Sequence, residues 1–225
     1  MTASRTAPTD IADTPPDAAR MTPTERRSAG ALSAIYALRM LGLFIVLPVF
    51  ALQAQHYPGG DNPALVGLAM GIYGLTQALL QVPLGMASDR VGRKPVIIAG
   101  LALFAIGSAV AAWAPTMTWL VIGRALQGGG AISAAVTALL ADLTRDAVRT
   151  KAMALVGISI ALMFALSLVL APALVPHIGL SGLFLMTTAM ALAGMAVVAW
   201  VVPPEPAKHA VIERGGLREV LRNAE

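Results

Sequence analysis

The stretch "GMASDRVGRKP" runs from Gly85 to Pro95 and decides the fold. Asp89, Arg90, Arg93 and Lys94 place four formal charges in eleven residues, and an apolar run flanks them on each side. A chain that alternates oily blocks with short charged knots is crossing a bilayer and surfacing at the knots. Composition points the same way. The 225 residues are 57% hydrophobic and 12% charged, with a mean hydropathy of +0.74, whereas soluble domains carry about 25% charged residues.

Working outward from the knot, six apolar blocks can be marked, at 31–54, 64–86, 96–114, 118–141, 152–176 and 183–202. Each has roughly the 20 residues a helix needs to cross, and lipid leaves an exposed backbone few other options. The expected fold class is therefore all-α: a polytopic membrane protein with six transmembrane helices. Glycines recur inside the blocks, as at Gly67, Gly71 and Gly74 and at Gly128, Gly129 and Gly130, and small residues let membrane helices approach closely. Residues 1–30 are rich in Thr, Ala, Pro and Asp. They have too little apolar surface to offset ordering entropy and read as a disordered tail. The first apolar run is too long for a signal peptide. Residues 204–225 read as a linker or as a surface-lying amphipathic helix interrupted at Gly215 and Gly216.

Charge sets the orientation. Of sixteen Lys and Arg residues, fourteen lie before block 1, between blocks 2 and 3, between blocks 4 and 5, or after block 6. The other three connections have none, and Arg39 and Arg124 lie inside blocks. This asymmetry puts both termini in the cytoplasm and makes the Asp89–Lys94 knot a cytoplasmic turn. The net charge of +4 then reflects basic loops, not a nucleic-acid partner. The absence of cysteine excludes disulfides and thiol chemistry. His56, His177 and His209 are too scattered for a helix-face metal site. No metal or cofactor is expected. A P-loop is excluded because six residues, not four, separate Gly85 from Gly92.

Charges inside a bilayer cost several kcal/mol and usually face a cavity or a partner. Arg124 is the leading candidate, with Gln127 one turn away at i+3, against the alternative that it snorkels to the nearby outer surface. Arg39 divides evenly between function and snorkelling to the surface. Gln77 and Gln81 share a face of helix 2 and either line a pathway or bond a neighbouring helix. No Asp or Glu lies within any block.

The turn "GMASDRVGRKPVI" resembles the helix 2–3 signature of the major facilitator superfamily, matching at Gly85, Asp89, Arg90, Gly92, Arg93 and Lys94. "LVIGRALQGGGAI", Leu120 to Ile132, is similar to the helix 4 stretch of proton-coupled members. The resemblance covers roughly residues 31–203 and looks nearest to the YajR-like, drug:proton antiporter-like bacterial members. It implies the N-terminal half of a twelve-helix fold, built as two inverted three-helix repeats. It further implies a secondary transporter in the bacterial inner membrane, effluxing a small-molecule substrate with proton coupling. Asp89 would then cap a helix of the opposite half. Arg93 would pair with Asp142, and Arg124 would serve coupling or substrate. The partners implied are the lipid bilayer and a C-terminal six-helix half or partner chain. Helix 5 departs from the family pattern, with Ala171-Pro172 in place of Gly-Pro. Two other readings stand beside this one: a six-helix remnant that transports nothing, and, remotely, a rhomboid-like protease using Ser181 of "GLSG".

Overall fold

A computed structural model describes residues 20–203. The readings of 1–19 as a tail and of 204–225 as a linker or surface helix lie outside the described residues. Within them all regular structure is helical: α1 (Pro23–Phe44), α2 (Leu47–Ala54), α3 (Pro63–Val91), α4 (Arg93–Ala112), α5 (Met117–Gly129), α6 (Ser133–Asp142) and α7 (Asp146–Trp200).

These elements map onto the six apolar blocks with two breaks and one merger. Block 1 is α1 followed by α2, and block 4 is α5 followed by α6. Blocks 5 and 6 together form α7. By length and composition four helical stretches can cross a membrane, at Pro23–Ala54, Pro63–Val91, Arg93–Ala112 and Asp146–Trp200. The last has 55 residues, and straight it would reach about 80 Å, well over twice the hydrocarbon thickness. It is not straight. Gly179 sits at φ 63°, ψ −175°, a conformation that glycine adopts without a Cβ clash.

Core packing shows the consequence. Ala152 and Val156 near the start of α7 pack in the same apolar cluster as Val198 and Val202 at its end. Ala171 and Leu183, either side of Gly179, belong to a second cluster. So α7 is a hairpin of two helices. The same two clusters mark the ends of the whole bundle. The first also holds Leu32 of α1, Ile97 of α4 and Val136 of α6, with Leu84 of α3 against it. The second holds Phe50 of α2, Ala69 of α3, Ala111 of α4 and Leu120 of α5. Followed in order, the chain passes between the clusters six times.

The outside of the bundle is apolar. Leu79 of α3 is 66% exposed and Val169 of α7 is 68% exposed; hydrocarbon, not water, is the solvent that suits such a surface. Small residues bring helices together inside. A Cβ on Gly123 of α5 would lie 2.8 Å from the Ala111 Cβ of α4, so these backbones touch only because the side chain is missing.

Four local expectations are corrected. First, α1 starts at Pro23, inside the stretch read as disordered. Thr22 and Glu25 form a capping box, and Pro23 stands at the first helical position, which stabilises a helix start despite the Pro- and Thr-rich composition. Second, the knot is not a loop of several residues. α3 runs through Val91 and α4 begins at Arg93, leaving Gly92 alone outside both, at φ 115°. Third, block 4 is broken at 130–132. Three consecutive glycines propagate a helix poorly, and the Gly130 carbonyl bonds Arg39 instead. Fourth, the 177–182 connection shrinks to a kink at Gly179.

Candidate functional site

The candidate side chains fall into two groups, at one end of the bundle and in its middle. At the end, Gly92 turns the chain and presents Arg93 at the start of α4. Arg93 Nη1 donates to Ser88 Oγ at 2.9 Å and forms an ion pair with Asp89, both on α3. Its Nε donates to Asp142 Oδ2 of α6 at 3.3 Å. One guanidinium thus ties α3, α4 and α6. The carboxylate side chains are 60% and 45% exposed, so each pair contributes about 0–1 kcal/mol. The contact can be made and broken at small energetic cost. Lys94 Nζ donates to the Val202 carbonyl at 2.8 Å, adding the far end of α7. Gly85 lies inside α3, where a Cβ would meet Ala134 of α6 at 3.4 Å. Arg90 is exposed.

A second ion pair beside this one was not legible as a site. Glu25, 6% exposed, accepts from the Arg145 Nε at 2.8 Å, Nη2 at 3.1 Å and backbone N at 3.0 Å. Arg145 Nη2 also donates to the Arg20 carbonyl at 2.8 Å. The hydrogen bond to Glu25, and then its charge, raise the Arg145 pKa above the usual arginine value. The 142–146 connector is therefore held from α4 through Asp142 and from α1 through Arg145. The Thr-x-x-Glu spacing of Thr22 and Glu25 was the available signal.

In the middle of the bundle Arg39 and Arg124 are both 1% exposed. Neither snorkels. Arg39 Nη2 donates to Tyr73 Oη at 3.0 Å, to Gln77 Oε1 at 3.3 Å and to the Gly130 carbonyl at 3.2 Å. Its Cζ lies 5.5 Å from the Phe104 ring centroid. Arg39 Nε and Nη1 are buried and have no partner among the described residues. Arg124 Nη1 donates to Gln127 Oε1 at 3.0 Å, and its Nε to the Ala69 carbonyl at 3.4 Å. Its Cζ stands 4.9 Å from the Tyr73 ring centroid. Gln127 Nε2 in turn donates to Ser108 Oγ at 2.7 Å. Neutral oxygens and π faces thus solvate both cations. Tyr73 joins them, one through its hydroxyl and the other through its ring. Of the sequence-derived candidates, Arg39 and Gln77 come together, as do Arg124 and Gln127. Gln81 stands apart and lines a cavity of about 460 Å³ with Tyr36, Ser133, Thr137 and Met153. Tyr73 and Ser108 were missed.

The model of the Major Facilitator Superfamily matches residues 32–224. The chain belongs to that superfamily. This facilitator is 51% identical over 184 residues to the inner membrane transport protein YajR of Escherichia coli strain K12, covering 82% of the chain and 40% of YajR. It is 33% identical over 128 residues to the class G tetracycline resistance protein of Vibrio anguillarum, covering 56% of the chain and 33% of that protein. Among solved structures it superposes on the human organic anion transporter MFSD10 with a TM-score of 0.70 at 21% identity. That match covers 81% of this chain and 48% of MFSD10 and shows the shared all-helical fold. The facilitator spans about 40% of the length of YajR. It is a membrane-embedded, multi-pass protein of a transporter family, not an enzyme, so the protease reading falls. The Ser181 hydroxyl in fact lies 3.3 Å from that of Tyr57.

Proposed function

We propose that the chain is the first six-helix half of a secondary active transporter that exports small molecules, driven by a proton gradient. A second six-helix half, in the same or a partner chain, completes the path. Both termini of this half lie on the cytosolic side, where the basic connections gather. The observation that carries the reading is the single guanidinium of Arg93, which bridges the ends of α3 and α6 across a one-residue turn. Three helices gripped by weak, exposed pairs suit a clasp that holds one of two conformations and releases in the other. Asp89 is the group available to cap a helix of the second half. Helices 1–3 and 4–6 form two inverted repeats, and Arg124, Gln127, Arg39, Gln77 and Gln81 line or tune the path.

Efflux is favoured by the likeness to a protein named for tetracycline resistance. Proton coupling follows the resemblance of the Leu120–Ile132 stretch. Since no Asp or Glu lies within the apolar blocks, the proton carrier belongs to the second half. The test is efflux of a panel of lipophilic compounds from cells carrying the coding region with its downstream DNA. Export that collapses with the proton gradient and in Arg124→Ala supports the reading. Export indistinguishable from empty cells refutes it and favours a non-transporting remnant. Labelling that placed the Gly92 turn on the same side of the membrane as His56 would refute the orientation.

A further inference from the structure

The Glu25 carboxylate closes the starts of two helices. On α1 its Oε2 accepts the Thr22 backbone N–H at 2.8 Å and completes the capping box. On α7 its Oε1 accepts the backbone N–H of Arg145, the N-cap residue, at 3.0 Å. Both are helix starts, where negative charge is favoured. The Arg145 side chain makes no cap of its own on α7. It turns instead to Glu25, with Nε at 2.8 Å and Nη2 at 3.1 Å, and to the Arg20 carbonyl at 2.8 Å.

Leu143, Thr144 and Arg145 join α6 to α7, so Arg145 stands within about 10 Å of Asp142 at full extension. The piece between them is folded back onto α6. The Leu143 N–H donates to the Leu139 carbonyl at 3.0 Å, and the Thr144 hydroxyl donates to the Leu140 carbonyl at 2.7 Å. Fixing Arg145 against α1 therefore limits where Asp142 can stand. Across from it, Arg93 is held to α3 by Asp89 and Ser88 and reaches α6 through the 3.3 Å bond to Asp142. That bond is exposed and has little strength of its own. The tie between Glu25 and Arg145 is shielded on the Glu25 side and has three hydrogen bonds. The stronger contact is placed to set the weaker one.

We infer that Glu25 is the positioning residue of the clasp: through Arg145 it fixes the α6–α7 connector so that Asp142 stands within reach of Arg93. It acts without touching Arg93, whose partners are Ser88, Asp89 and Asp142. The clasp thereby takes its setting from the first turn of α1, and the Arg20 carbonyl brings the chain ahead of α1 to the same guanidinium. The inference rests on the clasp reading of Arg93, and the two can fail separately. A Glu25 that merely stabilised the start of α1 would lower stability without moving Asp142.

The chain has no cysteine, so introduced cysteines report alone. Two readouts are taken on the purified 225-residue chain in detergent. The first is maleimide labelling of Thr144→Cys, a buried position in the connector. The second is oxidative crosslinking of the pair made by Arg93→Cys and Asp142→Cys. Adding Glu25→Gln should speed the labelling about tenfold, a factor within what one hydrogen bond to a charged group supplies. It should slow the crosslink about threefold, as the effective concentration of the two thiols falls. Glu25→Asp, which keeps the charge, should fall between. Arg145→Gln should match Glu25→Gln, and the two together should be no worse than either, as partners in one contact require. Leu120→Ala, a truncation in the cluster at the opposite end, should lower the unfolding midpoint and change neither readout. Labelling or crosslinking unmoved by Glu25→Gln, additive effects of the two changes, or equal effects from Leu120→Ala would each overturn the inference. A pair that fails to crosslink with Glu25 intact would instead overturn the Arg93–Asp142 clasp, and with it the contact that Glu25 positions.

Discussion

Tyr73→Phe isolates the hydroxyl by which Tyr73, the residue shared by the two buried arginines, holds Arg39. Tyr73 is 5% exposed, accepts from Arg39 Nη2 at 3.0 Å and holds the Arg124 guanidinium at 4.9 Å from its ring centroid. Phenylalanine keeps the ring and its volume and deletes one acceptor of a buried cation. A hydrogen bond to a charged group contributes about 1.5–3 kcal/mol, and that is the expected loss. Tyr73→Ala removes the ring as well; an aromatic truncation in a core costs about 3–5 kcal/mol, so it should be the more damaging change. The assay is reversible unfolding of the purified chain in mixed detergent micelles of increasing SDS content, followed by circular dichroism. A cycle with Arg39→Gln separates the pair from its surroundings. Coupling between neighbours in one network runs to about 0.5–3 kcal/mol, and once Arg39 is gone the hydroxyl should matter little. If Tyr73→Phe costs under about 0.5 kcal/mol, or costs the same in both backgrounds, Arg39 is not held as described.

Other perturbations address the turn, the helix contacts and the connector. Gly92→Ala forces a Cβ onto a backbone at φ 115°. It should destabilise by about 1–3 kcal/mol, and crosslinking of a Cys pair at positions 93 and 142 should slow in the same variant. Gly123→Ala thrusts a methyl into Ala111 of α4; overpacking of this kind costs about 1–3 kcal/mol, read by the same unfolding assay, and Gly123→Leu should prevent folding. Asp142→Asn should change stability by less than about 1 kcal/mol, since its pair is exposed, yet shift the accessibility of the cavity in cysteine labelling. Glu25→Gln should lower the unfolding midpoint and speed proteolysis within the 142–146 connector, because Arg145 loses its only charged partner among the described residues.

The six passes were legible because lipid imposes a simple rule: about twenty apolar residues per crossing, with basic residues gathered on one side. The Arg93–Asp142 contact was legible only through resemblance, because 49 residues separate the partners. The start of α1 was missed because composition outweighed the local capping signal at Thr22 and Glu25. The break in block 4 was missed because Gly128, Gly129 and Gly130 were read only as a packing surface, although three glycines also weaken a helix. Arg39 and Gln77 were singled out separately, but the cluster that joins them could not be seen. The partners of Arg39 lie 34, 38 and 91 residues away, and nothing in the spacing of Tyr73 or Gly130 marks them as acceptors until the helices are packed.

The one-residue joint at Gly92 sets how far small changes travel. α4 has 20 residues and is a stiff rod of about 30 Å. A longer tether would absorb rotation in its own slack; a lone glycine between two rods has only its two backbone dihedrals. A change of about ten degrees there would carry the distant tip of the rod through about 5 Å at that helical rise. The pivot would magnify a sub-ångström rearrangement of the Arg93 pairs into movement on the opposite face of the membrane.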